Sequence, residues 1–174
     1  MILKAGDGAP DFELAWLTGK DEVDHAKGVP KLQSLKNLLE RGPALLVFVK
    51  EDCPTCEYTL PLVDRIYQNY PGSKASIVVI AQEGVFAALK MVQDWGIHMP
   101  VLLDQDPFVV GEDYGLVFVP TFFSVGQDGK IVRSFESFAR EELKAINEEI
   151  ARFSGVTPIP FFTVEEGVPA FRPG

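Results

Sequence analysis

The chain has 174 residues, 47% of them hydrophobic and 24% charged, a balance that suits one soluble globular domain with a single sizeable core. A formal net charge of −9 and a pI near 4.7 argue against a nucleic-acid surface, because phosphate recognition needs clustered Lys and Arg. Two cysteines are too few for a disulfide-stapled scaffold, and no apolar run approaches the roughly 20 residues of a spanning helix, so no membrane segment is expected. Residues 1–10 lack the apolar stretch of a signal peptide, and the sequence as written reads as cytoplasmic.

In chain order, Gly6-Asp7-Gly8-Ala9-Pro10 is a run of turn residues, and the alternation after it predicts a short strand over residues 12–16. Residues 18–31, with Asp21, Glu22, Asp24, His25 and Lys27, read as a polar loop in which His25 is solvated. Leu32, Leu35, Leu38 and Leu39 recur at helical spacing and stop at Gly42-Pro43. Residues 44–49 are all apolar and predict a buried strand. Leu62, Val63, Ile66, Tyr67 and Tyr70 then fall at helical spacing, with Pro61 inside the pattern predicting a bend.

A second doubly buried strand is predicted over residues 76–81, and a helix over 84–94 with Phe86, Leu89, Val92 and Trp95, joined by Val85 and Ala88, as its apolar positions. A short strand at 100–103, an acidic turn at 104–107 and a short helix at 108–114 follow. Residues 121–125 and 130–135 flank Asp128-Gly129, a strong hairpin signal. A last helix spans 139–153, with Leu143, Ile146 and Ile150 on one face and Gly155 closing it. Strand and helix alternating, then a hairpin and a helix, give an α/β domain with a central mixed sheet between helices over residues 1–155. Residues 156–174 form an irregular tail with four prolines and Phe161, Phe162 and Phe171, expected to lie on the domain or on a partner.

Chemistry concentrates at Cys53-Pro54-Thr55-Cys56, the only cysteines, placed where the apolar strand gives way to the helix. Pro54 fits the first helical position, whose N–H has no intrahelical partner. Free amides at a helix start favour a thiolate, and the thiolate is the species that attacks disulfides. Cys53 is therefore the expected attacking sulfur and Cys56, one turn further in, the resolving one. The same spacing suits half a zinc site, but His25 and His98 are the only histidines and lack finger-like spacing, so no metal is expected.

The placement of this pair, with Pro61 five residues after Cys56 and Val119-Pro120-Thr121 just before the hairpin, resembles the thioredoxin superfamily. Gly6-Asp7-Gly8-Ala9-Pro10-Asp11-Phe12-Glu13-Leu14, Leu102-Leu103-Asp104, Tyr114-Gly115 and Asp128-Gly129-Lys130-Ile131 are similar to its redoxin branch, the TlpA/ResA-like and AhpC/TSA-like proteins. The resemblance implies a thioredoxin-like fold with an N-terminal extension, and a thiol–disulfide oxidoreductase. In it Cys53 and Cys56 are catalytic, and the Cys53/Cys56 dithiol–disulfide couple stands in place of any cofactor. It implies a cis Pro120, with the Val119 backbone pairing an extended substrate, and as partners protein disulfides or dithiols together with an upstream reductase or oxidant.

The chain departs from that pattern in three places. Asp52, preceded by Glu51, replaces the Trp usual before the first cysteine, and two carboxylates there should disfavour the thiolate. Val47 and Thr59 stand where relatives carry acids that take the second thiol's proton, which leaves Lys50, Glu51, Asp52 or water for that work. Two other readings remain open: a peroxiredoxin-type peroxidase, and a redox-inactive binding module of the same fold. The peroxidase pattern Pro-x-x-x-Thr-x-x-Cys fails in both registers, with Leu46 and Lys50 before Cys53 and Val49 and Cys53 before Cys56.

Overall fold

The computed structural model describes residues 1–18, 23–24 and 29–174. His25 and most of the polar loop expected at 18–31 lie outside the described residues. In chain order the elements are β1 (Glu13–Thr18), β2 (Val23–Asp24), β3 (Val29–Pro30), β4 (Leu32–Ser34), α1 (Leu35–Leu39), β5 (Ala44–Val49) and α2 (Pro54–Asn69). They continue with β6 (Ser76–Ala81), α3 (Val85–Trp95), β7 (Val101–Leu103), α4 (Val109–Asp113), β8 (Thr121–Val125) and β9 (Ile131–Glu136). β10 (Phe138–Ala139), α5 (Arg140–Ser154), a turn of 3-10 helix at Val164–Glu166 and β11 (Phe171–Arg172) complete the chain.

Seven strands form one sheet in the order β4-β1-β7-β6-β5-β8-β9. β5, β6 and β7 pair in parallel through helical crossovers, while β8 and β9 add antiparallel on one side and β1 and β4 on the other. The mixed α/β architecture expected from the element order is what forms. β5 is central, and its six residues are all buried because alternate side chains enter two different cores. Leu45, Val47 and Val49 meet α2, α3 and α5 through Leu60, Val63, Ile66, Met91, Leu143 and Ile146. Leu46 and Phe48 meet α1 and α4 on the other face, where Phe48, Tyr114 and Phe123 pack at ring separations of 5.0 to 5.8 Å. Each such side chain contributes about 1.5–3 kcal/mol of burial, which fixes the end of β5 firmly.

Two expectations are corrected, the start of α1 and part of the buried face of α3. The helix expected from Leu32 starts at Leu35, because the Ser34 side chain accepts a hydrogen bond from Asn37 N–H and caps it, and Leu32 is an exposed strand residue. α2 runs from Pro54 to Asn69 with Pro61 inside it and Tyr70 as its C-cap, so the helix continues past the proline as expected. α3 meets the sheet through Ala88 and Met91, leaving Val85, Phe86 and Leu89 exposed, Phe86 at 89%. Among the described residues no helix is long and apolar enough to cross a membrane.

Residues 156–174 lie along α2 from its last turn back to its first. The Tyr70 hydroxyl donates to Asn147 Oδ1 at 2.9 Å and accepts from Ile159 N–H at 2.7 Å, and Asn147 Nδ2 donates to Ile159 C=O at 3.0 Å. Arg65 then holds Phe161 C=O and Glu166, Phe161 and Val168 are buried, and Arg140 holds Val168 C=O. β11 pairs antiparallel with β10, which brings the last residues to the start of α2.

Candidate functional site

The site forms where β5 stops. Val49 is its last residue, a turn at Glu51-Asp52 reverses the chain, and Pro54 opens α2 with its ring at the helix start. Cys53 is the N-cap residue, in extended backbone, and its Sγ accepts the Cys56 N–H at 3.0 Å. A cap acceptor that can ionise gains from ionising, because the donors at a helix start carry partial positive charge. Cys53 is half-buried and Cys56 fully buried, and both are free cysteines.

This asymmetry separates the two thiols electrostatically. The Cys53 pKa is lowered to about 7, first by its hydrogen bond with the Cys56 side chain and then by the Cys56 and Thr55 backbone N–H groups, against partial burial and the Asp52 charge. The Cys56 thiol is pushed far up, first by burial and then by the hydrogen bond to Cys53, with the Lys50 backbone opposing. The Asp52 carboxylate does oppose the Cys53 thiolate, but it is the smallest of the named influences. Glu51 is turned away: its carboxylate pairs with Lys90 at 3.1 Å, and its N–H donates to Glu83 at 2.9 Å.

Facing the cysteines is the start of β8. The Val119-Pro120 bond is cis, as the resemblance implied, and Cys53 Sγ donates to Val119 C=O at 3.4 Å. Thr121 and Pro120 are buried behind this contact, so Cys53, Cys56, Val119 and Pro120 come together from two segments distant in sequence, the start of α2 and the start of β8. The other expected residues lie at the edge. Lys50 places its ammonium 5.0 Å from the centre of the Phe108 ring, and Asp52 is exposed. The Thr59 hydroxyl donates to Thr55 C=O within α2, and Val47 is buried in the core shared with Cys56.

A cleft of about 800 Å³ opens beside Cys53, with Pro54, Phe108, Val117, Phe118 and Pro173 on its walls. One wall is α4, and a second cis bond, Asp106-Pro107, precedes it. The sequence reading passed over what fixes this wall. Buried Asp104 accepts the N–H groups of Val110 at 3.3 Å and Gly111 at 2.8 Å and the Gln82 amide at 3.3 Å, a fully occupied carboxylate at a loop that looked merely acidic. A Cβ at Gly111 would push the end of the Gln82 side chain out of this arrangement.

The other missed contribution comes from the tail. Thr55 Oγ1 donates to Pro173 C=O, and Gly174 N–H donates to Ser137 Oγ at 2.9 Å. Nothing in its composition announced this, because the contacts are made by backbone groups and a glycine. Among the described residues no group of three or more His, Cys, Asp or Glu could hold a metal ion. His98 pairs instead with the buried Asp64 at 2.9 Å, far along α2 from the cysteines.

A thioredoxin fold carrying two thiols at a helix start, one capping the helix and one buried, under a cis proline, defines a thiol–disulfide oxidoreductase of the redoxin kind. Within that class the chain belongs to the AhpC/TSA family, whose model matches residues 5–134. It is 30% identical over 131 residues to the thiol-disulfide oxidoreductase ResA of Bacillus thuringiensis (strain Al Hakam), covering 75% of this chain and 68% of that one. ResA of Bacillus cereus (strain ATCC 10987 / NRS 248) is 26% identical over 141 residues, 80% of this chain and 74% of the relative. Among solved structures, the thioredoxin domain of a thiol-disulfide oxidoreductase from Bacteroides vulgatus superposes with a TM-score of 0.69 at 21% identity, over 85% of this chain and 99% of that one. Peroxidoxin BcpB from Mycobacterium tuberculosis gives 0.64 at 21% identity, over 89% and 99%.

Proposed function

We propose that the chain exchanges disulfides with protein substrates through Cys53 and Cys56, with Cys53 as the attacking sulfur. The observation that carries this is the asymmetry of the two sulfurs: Cys53 caps α2 at the cleft, half-buried and with its pKa lowered, while Cys56 is sealed beneath it with its proton held. The lowered pKa gives Cys53 a larger thiolate fraction at neutral pH than the few per cent of an unperturbed cysteine. In the reducing direction the Cys53 thiolate attacks one sulfur of a substrate disulfide. A Cys53–substrate disulfide forms, and the other substrate sulfur leaves as a thiolate.

The first step also prepares the second. Two of the influences that hold the proton on Cys56 are its hydrogen bond to Cys53 and the Cys53 charge, and both vanish once Cys53 is in the mixed disulfide. Cys56 then loses its proton, attacks Cys53 Sγ and releases the second substrate thiolate, leaving a Cys53–Cys56 disulfide. Two electrons pass to the substrate, and two protons complete its thiols. Glu51 is paired with Lys90 and Lys50 sits over Phe108, so Asp52, whose charge acts on Cys56, the departing substrate thiolate or water is left as the base for Cys56. The couple needs no further redox group. Val119, whose carbonyl contacts Cys53, is the backbone against which an extended substrate would lie, with Pro120 holding its orientation.

Reacting the Cys56→Ser variant with oxidised insulin tests this. A stable one-to-one mixed disulfide at Cys53 is the expected product, and absence of any adduct contradicts the assignment. Reduced protein that consumed hydrogen peroxide faster than it exchanged with disulfides would move the reading to a thiol peroxidase.

A further inference from the structure

The last two residues form part of the cleft wall, and the two before them lead up to it. Pro173 and Gly174 line it together with Cys53, Pro54, Thr55 and Val119. Gly174 lies so close that a Cβ there would overlap the Val119 carbonyl oxygen, the atom that also accepts from Cys53 Sγ. Pro173 C=O takes the Thr55 hydroxyl, the one side-chain hydroxyl between the two cysteines. The Arg172 guanidinium stacks 4.3 Å from the centre of the Tyr58 ring, one turn further along α2. An extended polypeptide cannot lie along Val119 while Gly174 does.

The grip on this segment is local and shallow. Upstream, Phe161 and Val168 are buried in the core shared with α2 and α5, whereas Phe171, Pro173 and Gly174 are exposed and Arg172 is half-buried. β11 is two residues long, and Pro169-Ala170 separates it from the buried Val168. Releasing residues 171–174 therefore opens no core and exposes little apolar surface.

Given the disulfide-exchange reading above, we propose that residues 171–174 are a specificity-determining wall of the site. Small disulfides reach the half-exposed Cys53 with the wall in place, and an extended protein segment reaches it only after the wall has swung off Val119 and Thr55. The protein rate then carries the fraction of molecules whose wall is open, and the small-disulfide rate does not.

The test compares single-turnover rates of the reduced protein with insulin and with hydroxyethyl disulfide. Three variants are used: a chain stopped at Ala170, Arg172→Ala, which removes the stacking on Tyr58, and Gly174→Leu, which cannot fit against Val119. The insulin rate relative to the hydroxyethyl disulfide rate is expected to rise about fivefold or more in the shortened chain and about two- to threefold in the single variants. An unchanged ratio, or a fall in the insulin rate alone, overturns the wall and leaves the dithiol reading standing. If the parent protein fails to react with hydroxyethyl disulfide at all, the dithiol reading falls, and the wall with it. The two single variants keep every residue of the chain, so a folding defect in the shortened form does not decide the outcome.

Discussion

Residues 49–56 and residues 156–174 meet at one cleft but are held there by different forces. The cysteine turn is positioned by its own sequence: a fully buried strand ends, a proline starts a helix, and Cys53 caps it within three residues. The tail is positioned by single contacts spread along α2, from Tyr70 through Arg65 and Tyr58 to Thr55. The first region resists change because it is continuous with the core, and the second can be altered one contact at a time. Reactivity should therefore follow the turn, and access and part of the stability should follow the tail.

The largest effect should come from the turn. Cys53→Ser should lower disulfide exchange by about a thousandfold or more with little loss of Tm, since a serine can still cap α2. Insulin reduction and a thermal scan read the two quantities, and a variant that stayed active would erase the distinction between the regions.

Phe161→Ala should do the reverse. Removing a buried ring that also meets Phe162 edge-on at 4.9 Å should cost about 3 kcal/mol in urea unfolding, while the pH midpoint of Cys53 alkylation stays where it was. Tyr70→Phe should cost less, about 1–2 kcal/mol, by leaving Ile159 N–H and Asn147 without their shared partner. If either change moved Cys53 reactivity, the tail would be shaping the sulfur and not merely its surroundings.

The smallest effect sharpens the electrostatics of the turn. Asp52 raises the Cys53 pKa, so Asp52→Asn should shift the alkylation midpoint down by about a few tenths of a pH unit. A shift upward would mean that the carboxylate helps the thiolate by some route other than its charge.

The same contrast explains what could be read from the sequence. β5 and β6 carry their burial in long apolar runs and β8 in Phe122, Phe123 and Val125, and the expected bounds agree with the observed strands to the residue. The hairpin at Asp128-Gly129 was legible because its turn depends on a residue type with few alternatives, whereas the cis bond at Pro120 was expected only through the family resemblance, and the cis bond at Pro107 had no such signal. The face of α3 was legible in part: Ala88, Val92 and Trp95 pack on the core, but Val85, Phe86 and Leu89 follow the helical period equally well and are exposed, while Met91 takes the buried place. The wall of the cleft was hidden for a different reason. Asp104 acts through backbone N–H groups, and Pro173 and Gly174 through a carbonyl and the lack of a side chain, so no pattern of side-chain polarity marks them.

The central claim is that one cysteine is ionised near neutrality and its neighbour is not. The most direct measurement is the rate of iodoacetamide alkylation of the reduced protein across pH 5 to 10, with the modified residue located by peptide mass. The account predicts modification of Cys53 alone in the folded protein, with a midpoint near pH 7. A midpoint close to the ordinary cysteine value of 9.0, or equal labelling of Cys56, would contradict it.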